Sequence, residues 1–414
     1  MRVFPLCFGS LMADATRIPD SVTLPELTLR GVLLGALITV IFTASNVFLG
    51  LKVGLTFSSA IPAAVISMSV LRMFRDANIL ENNMVQTQAS AAGTLSAIIF
   101  ILPALVMMGH WQGFPFWQTL AICGAGGMLG VMFTIPLRHI MVVQSDLPYP
   151  EGVAAAEILR VGSAEAPDTA PGRRGASGMG DILAGGGVAA LVSLATGGLR
   201  VLGDSFSWWG QLGASVFRLP MGFSLALLGA GYLIGIVAGV AMLVGLLIAW
   251  LVAVPTHQLN WTMILIGMGV GVALIVIDQV LRRTCRVARL PVLAVGIGIY
   301  LPPSASAPIV VGAVLAWLLE GALRRRAAAA GQDYERYAEG PNRRGVLVAS
   351  GLIVGESLVG VLLAAVIGAT GDEAPLAVVG AGFGPTAEWL GFVVFAAVAV
   401  WIYRRVVRTR PEQA

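Results

Sequence analysis

The sequence predicts an all-α, polytopic membrane helix bundle with broken or re-entrant helices, and three observations carry that prediction. Hydrophobic residues make up 57% of the 414-residue chain and charged residues only 12%, with a mean hydropathy of +0.86. Apolar runs of about 20 residues, the length of one bilayer crossing, recur between residues 31 and 403. No segment alternates every second residue over the ~10-residue lengths of a transmembrane barrel strand. The 51 glycines exceed the usual ~7% share, as expected where helices approach closely without a hydrophobic drive between them.

In chain order, residues 1–30 form a leader. Residues 2–15, RVFPLCFGSLMADA, mimic a signal peptide with one arginine, a short apolar run and an Ala-x-Ala ending. A start at Met12 fits equally, because MADATRIPDSVTLPELTLRG reads as a soluble leader entering the first span. Spans then follow near 31–50, 53–74, 84–108, 117–137, 179–202, 221–255, 261–281, 290–321, 345–369 and 387–403. Two of these, 221–255 and 290–321, are too long for one crossing.

The net charge of +4 carries no nucleic-acid signal, because the arginines lie between the spans, where they report orientation. The basic connections 138–174, 282–289 and 324–344 and the tail RRVVRTR (404–410) are expected on the cytoplasmic side, and GDEA (371–374) on the other. This parity requires 290–321 to enter and leave on one side. Pro302, Pro303 and Pro308 supply the interruption, giving two half-helices in a hairpin. Broken backbone at membrane depth is tolerated only where protein or a water-filled cavity satisfies it, so it points to a pathway. The same parity makes 221–255 either a hairpin around its glycines or a place where something is missing. The chain thus divides into the leader 1–30, an N-terminal membrane block 31–281, a C-terminal block 282–403 containing the re-entrant hairpin 290–321, and a basic cytoplasmic tail 404–414. The setting is the cell (inner or plasma) membrane.

Several polar groups stand out against this background. In NNMVQTQASAAGTL (82–95), Asn83, Gln86, Thr87, Ser90 and Thr94 fall on one face of a helix. Such a stripe is either interhelical hydrogen-bond glue, packed through Ala91, Ala92 and Gly93, or a cavity wall offering amide donors and acceptors to a polar solute. In LPYPEGVAAAEILRVG (147–162), Pro148 and Pro150 fix an extended entry, Pro150 takes a first helical position and Glu151 lies in the first turn. Glu157, six residues later, points elsewhere, so the two carboxylates are no acid–base pair; an ordinary helix start is the alternative. Lys52 is the chain's single lysine, in SNVFLGLKVGLTFSS, and Glu356 is centred in GVLVASGLIVGESLVGVLLAAVIG. Each would cost about 2.5–3.5 kcal/mol at mid-bilayer unless paired or hydrated. Lys52 either marks a turn between two spans or has a role; Glu356 has no such turn beside it. Gly351 and Gly355 form a small-xxx-small pair next to Glu356, so its helix is expected inside the bundle, where a titrating carboxylate can carry protons.

The blocks LPELTLRGVLLGALITVIFTASNVFLGLKVGLTFSSAIPAAVIS, NILENNMVQTQASAAGTLSAIIFILPALV, LPYPEGVAAAEILRVG, LPVLAVGIGIYLPPSASAPIVVGAVLAWLLE and ASGLIVGESLVGVLLA resemble the oligopeptide transporter family of bacterial type, related to its yellow stripe-like, metal-chelate-carrying branch. They cover over half the chain in the family's order. The resemblance implies secondary transport of short peptides or peptide-like metal chelates, typically driven by protons. Carried across position by position, it places Asn82, Asn83, Gln86, Pro148, Tyr149, Pro150, Glu151, Tyr300, Pro302 and Glu356 in family motifs. It also exposes a departure. The block expected between LIAWLVAVP (247–255) and WTMILIGMGVGVALIVID (261–278) is replaced by THQLN (256–260). Further spans and a glycine- and lysine-bearing motif are absent there, at the same place where the crossing parity becomes awkward.

The expected function is therefore proton-coupled symport of oligopeptides or peptide-like chelates. The pathway would be lined by Asn82, Asn83, Gln86, Thr87, Ser90, Tyr149, Glu151, Tyr300 and Pro302, with Glu356 and Lys52 as the intramembrane charges. An internally deleted membrane remnant or interaction subunit is the alternative. Expected partners are a small peptide, protons, the lipid bilayer and a second copy of the chain. Neither cofactor nor metal site is expected: Cys7, Cys123, Cys285, His110, His139 and His257 show no ligand spacing. No GxxxxGK[ST] loop, HExxH, GxSxG or paired-Asp constellation points to an ATP-driven pump or an intramembrane enzyme.

Overall fold

A computed structural model describes residues 22–53, 59–74, 76–144, 149–162, 174–212, 215–252, 261–284, 290–372 and 374–409. The chain folds into two compact units, Phe4–Pro167 and Asp168–Ala414.

In the first unit, α1 (Leu29–Val53) and α2 (Ala60–Leu71) both pack on α3 (Ile79–Leu95). Asn78 starts α3 because its Oδ1 accepts the Glu81 N–H at 2.9 Å, supplying a partner for a donor the helix cannot use. After α3 the chain tightens into a 3₁₀ turn, Ser96–Phe100, and resumes as α4 (Leu102–Met107). Next comes α5 (Phe116–Arg138), which ends in a π turn, His139–Val143, and buries none of its residues among those described. Pro150 opens α6 (Pro150–Gly162), which packs on α2 and α3 through Ala154, Ala155, Ile158 and Leu159.

The second unit opens with α7 (Arg174–Ser193), followed by a β-hairpin of β1 (Ser205–Leu212) and β2 (Ser215–Gly222), paired antiparallel from Ser205↔Gly222 to Leu212↔Ser215. The hairpin departs from the expected run of helices. Phe206, Trp208, Trp209, Val216 and Phe217 are strand-forming types, and Pro220 sits in a two-stranded ribbon whose outer edge needs no N–H. Then follow α8 (Leu225–Ile234), α9 (Ile236–Val252), α10 (Trp261–Thr284), α11 (Val292–Tyr300), α12 (Pro303–Ala329), α13 (Tyr334–Thr370) and α14 (Gly384–Val407). Seven helices among the described residues are long and apolar enough to cross a membrane, and the bent pair α8–α9 makes an eighth. The protein is an all-α, multi-pass integral membrane protein.

Both over-long runs are broken. The pair α8–α9 bends by 118° at Gly235, whose φ of +81° is a conformation residues with a side chain rarely adopt. The run 290–321 breaks at Leu301–Pro302, but into unequal pieces: α11 has nine residues and α12 has 27. Pro308 does not interrupt the helix as expected; it lies inside α12. The Ser304 carbonyl, which Pro308 cannot bond, instead lies against Gly222 at the end of β2. The expected span 53–74 contains only the 12-residue α2, and the junction 253–260 lies outside the described residues.

Glycines set the packing. On α7, Gly185 meets the Val348 carbonyl of α13, while Gly351 and Gly355 of α13 meet the Ile182 and Gly186 carbonyls, so that any side chain would collide with backbone. The broken pairs engage reciprocally: Gly231 of α8 meets Ile309 and Gly312 of α12 meets Leu228, while Gly245 of α9 meets Val295 and Gly298 of α11 meets Met242. One end of this unit is ionic. Asp181 of α7, only 4% exposed, accepts from Arg344 of α13 at 2.7 Å and from Arg405 of α14 at 2.8 Å, and Arg326 of α12 donates to the Val407 carbonyl. The basic stretches 324–344 and 404–409 thus gather at one end, and α13 runs on to Gly371, where a left-handed residue closes it.

Candidate functional site

In the first unit the polar groups of α3 divide between two faces. Asn82 is buried: its Nδ2 donates to the Asn78 carbonyl at 3.0 Å, and its Oδ1 accepts from Ser67 of α2. Next to it, Glu81 is completely buried and held by Arg30 in a two-point ion pair, Nε to Oε1 at 2.7 Å and Nη2 to Oε2 at 2.8 Å, with Thr28 donating to the same Oε1. This clasp joins the start of α1 to the start of α3. Sequence reasoning passed over it: Arg30 closes the leader 1–30, and Glu81 was not singled out.

The opposite face is open. Asn83, Thr87 and Thr94 are exposed and Gln86 and Ser90 half-buried. Among the described residues none of the five bonds to another helix through its side chain; Thr87 and Thr94 return their hydroxyls to the Asn83 and Ser90 carbonyls of their own helix at 2.8 and 3.4 Å. Behind them, the Ser59 hydroxyl enters the helix from the buried side. It donates to the Ala89 carbonyl at 3.0 Å and accepts from the Gly93 N–H at 3.1 Å, the two groups that otherwise form one rung of α3.

The remaining motif residues of this unit lie elsewhere. Tyr149 is exposed and donates to the Met141 carbonyl at 2.8 Å, stapling the start of α6 to the π turn. Glu151 is exposed in the first turn of α6, whereas Glu157 is buried, 3.6 Å from Arg160. The two carboxylates therefore do point apart. Lys52 sits one residue before the end of α1, its side chain outside the described residues, as is Pro148.

In the second unit Glu356 meets the N-terminus of α8. Its Oε1 accepts from the Ser224 hydroxyl at 2.6 Å and its Oε2 from the Ala226 N–H at 2.8 Å, while Ser224 also accepts from the Leu227 N–H at 3.1 Å as the N-cap. A carboxylate there answers the positive end of the helix dipole and the first orphan N–H groups. Tyr300 is the exposed last residue of α11, and Pro302 is the N-cap of α12. From Glu356, α8 runs along α12, with Leu228 against Gly312 and Gly231 against Ile309, before it ends at Gly235.

The sequence pattern of the family described as "OPT oligopeptide transporter protein" matches residues 26–258 and 256–367. The chain belongs to the OPT oligopeptide transporter family. Two similar proteins carry names that assign them provisionally to oligopeptide transport. One, from Haemophilus influenzae, is 64% identical over 213 residues, which make up 51% of this chain and 32% of that protein. The other, from Saccharomyces cerevisiae, is 26% identical over 171 residues, 36% of this chain and 24% of that protein. The chain thus spans about a third and about a quarter of these OPT relatives. No solved structure matches it. The two OPT segments meet at residues 256–258, the place where the sequence predicts a missing block.

Proposed function

We propose that this chain acts in secondary, proton-coupled transport of oligopeptides or peptide-like metal chelates across the cell membrane, with its C-terminus cytoplasmic. One observation carries the reading: in an OPT-family chain, α3 holds an amide and hydroxyl stripe that its own unit leaves open. A polar stripe on an apolar helix is expensive against lipid, and peptide N–H and C=O groups need donors and acceptors once they leave water. Asn83, Gln86, Thr87 and Ser90 supply both kinds and read what all peptides share. Asn82 belongs to the support of that wall rather than to its surface. Glu356 is assigned the coupling proton, since a carboxylate that caps α8 loses an acceptor when protonated and so weakens its hold on that helix. One charge moved through 100 mV is worth about 2.3 kcal/mol, enough for several tens-fold accumulation.

Peptide uptake driven by an imposed pH gradient in proteoliposomes tests this. Glu356→Gln should abolish the pH-driven component while leaving the protein folded; wild-type pH dependence in that variant removes the proton role. Asn83→Leu with Gln86→Leu should raise KM at least tenfold.

A second reading is favoured by one observation, the family match in two pieces that meet at 256–258: an internally shortened, non-transporting chain or interaction subunit. Purified protein that binds no peptide and leaves uptake by a longer relative unchanged would favour it.

A further inference from the structure

The broken helix at Pro302 leaves few backbone donors at the start of α12. Pro302 and Pro303 have no N–H, and the Ala305 and Ser306 N–H groups both turn back to the Pro302 carbonyl at 2.9 and 3.1 Å. Ser306 is 0% exposed, yet its hydroxyl has no hydrogen-bond partner among the described residues. A serine in a helix ordinarily returns its hydroxyl to its own backbone, as Ser350 does here to the Val346 carbonyl at 2.8 Å. Burying it unpaired costs free energy. Side chains on a helix lean toward its N-terminus, so the Ser306 hydroxyl leans over the first turn of α12, where the helix dipole is positive.

The bent pair α8–α9 packs on the turns that follow. Gly231, four residues before the bend, meets Ile309, and Gly239, four residues after it, meets Ala313. Ser306, Ile309 and Ala313 are spaced i, i+3 and i+7, so one face of α12 carries the hydroxyl and fits the crook at Gly235. The bend rests on a residue that tolerates a large backbone change, and the other end of α8 is held by Glu356.

We propose that the N-terminal turn of α12, with Ser306, is a binding site for a carboxylate, and that the carboxylate is the C-terminal one of the transported peptide. This rests on the peptide reading above: the C-terminal carboxylate is the anion that every linear peptide shares. The positive end of the α12 dipole together with an unbonded O–H donor suits an anion. The site is buried in this structure, next to the turns of α12 on which α8–α9 packs, and opens as that pair swings about Gly235.

The test is binding of trialanine and of its C-terminal amide to the full chain in nanodiscs, for wild type and Ser306→Ala. The wild type should bind the acid at least tenfold more tightly than the amide. Ser306→Ala should weaken the acid by roughly tenfold or more, leave the amide unchanged, and keep or raise the melting temperature, since it removes an unpaired hydroxyl. Equal binding of acid and amide by the wild type keeps the peptide reading and overturns the carboxylate site. A preference for acid that survives Ser306→Ala places the carboxylate elsewhere and also overturns it. Binding of neither compound overturns the peptide reading, and this inference with it.

Discussion

Glu81 and Glu356 are both acids in apolar company, and they are held by opposite means. Glu81 has a cation: Arg30, itself stacked over the Phe74 ring with its guanidinium carbon 5.1 Å from the centroid. Removing that partner strands a buried charge, so Arg30→Ala should destabilise the first unit by about 3 kcal/mol, read as a lower melting temperature in detergent. Glu356 has only dipoles, a hydroxyl and an N–H. Its position was legible as the single acid in a long apolar run. Its partners were not, because Ser224 and Ala226 lie 132 and 130 residues away and nothing local marks them. The asparagine pair shows the same limit at shorter range. Asn82 and Asn83 are neighbours in a family motif, but successive helical residues point about 100° apart, so one is enclosed and the other open. Spacing separated Asn83 with its stripe; what encloses Asn82 depends on Ser67, in another helix.

Among elements, the α7–α13 seam was half visible. The Gly351 and Gly355 pair announced a close-packed helix, and the structure supplies the partner, α7, through Gly185 and Gly186. Gly355→Val forces a branched side chain against the Gly186 carbonyl and should cost about 1–3 kcal/mol or more, checked by thermal unfolding or by loss of folded yield. Gly235 makes a different prediction. A methyl there meets no atom within 4 Å, so Gly235→Ala should cost about 1–3 kcal/mol through backbone strain alone. The same substitution at Gly231 should do worse, because there the backbone of α12 blocks the methyl. The β-hairpin was hidden for a physical reason. Each strand is only eight residues long, and the aromatic residues among them blend into the apolar background of the flanking spans. The break at Pro302 was legible because proline removes donors wherever it stands; Pro308 inside α12 was not, since the carbonyl it frees, that of Ser304, lies against Gly222 of β2, a strand more than 80 residues earlier in the chain.

At the scale of the molecule, composition and run length sufficed for the class, and arginine placement foretold which ends of α12, α13 and α14 lie together. That grouping now has a cause, the Asp181 clasp and the Arg326 contact. It yields a topology prediction: single cysteines at Gly331 and Thr409 should react with an impermeant maleimide from one side of the membrane, and one at Asp372 from the other. Labelling of all three from one side would overturn the assignment of α13 and α14 as full crossings. Transport itself is less legible at this scale, since the matched stretches amount to about a third or less of the relatives' lengths. Resequencing the locus and transcript across codons 250–265 decides between a longer product and a chain in which residues 255 and 256 truly adjoin.

The hydroxyl of Ser59 has a mechanical consequence. Bonded at once to the Ala89 carbonyl and the Gly93 N–H, it rivets the second half of α3 to the residue just ahead of α2, about 100° around the helix from the Asn83–Thr94 stripe. The stripe is thus braced from its flank. In a Ser59→Ala chain the rivet is gone, and the stripe-bearing half of α3 is freer to slide against α2.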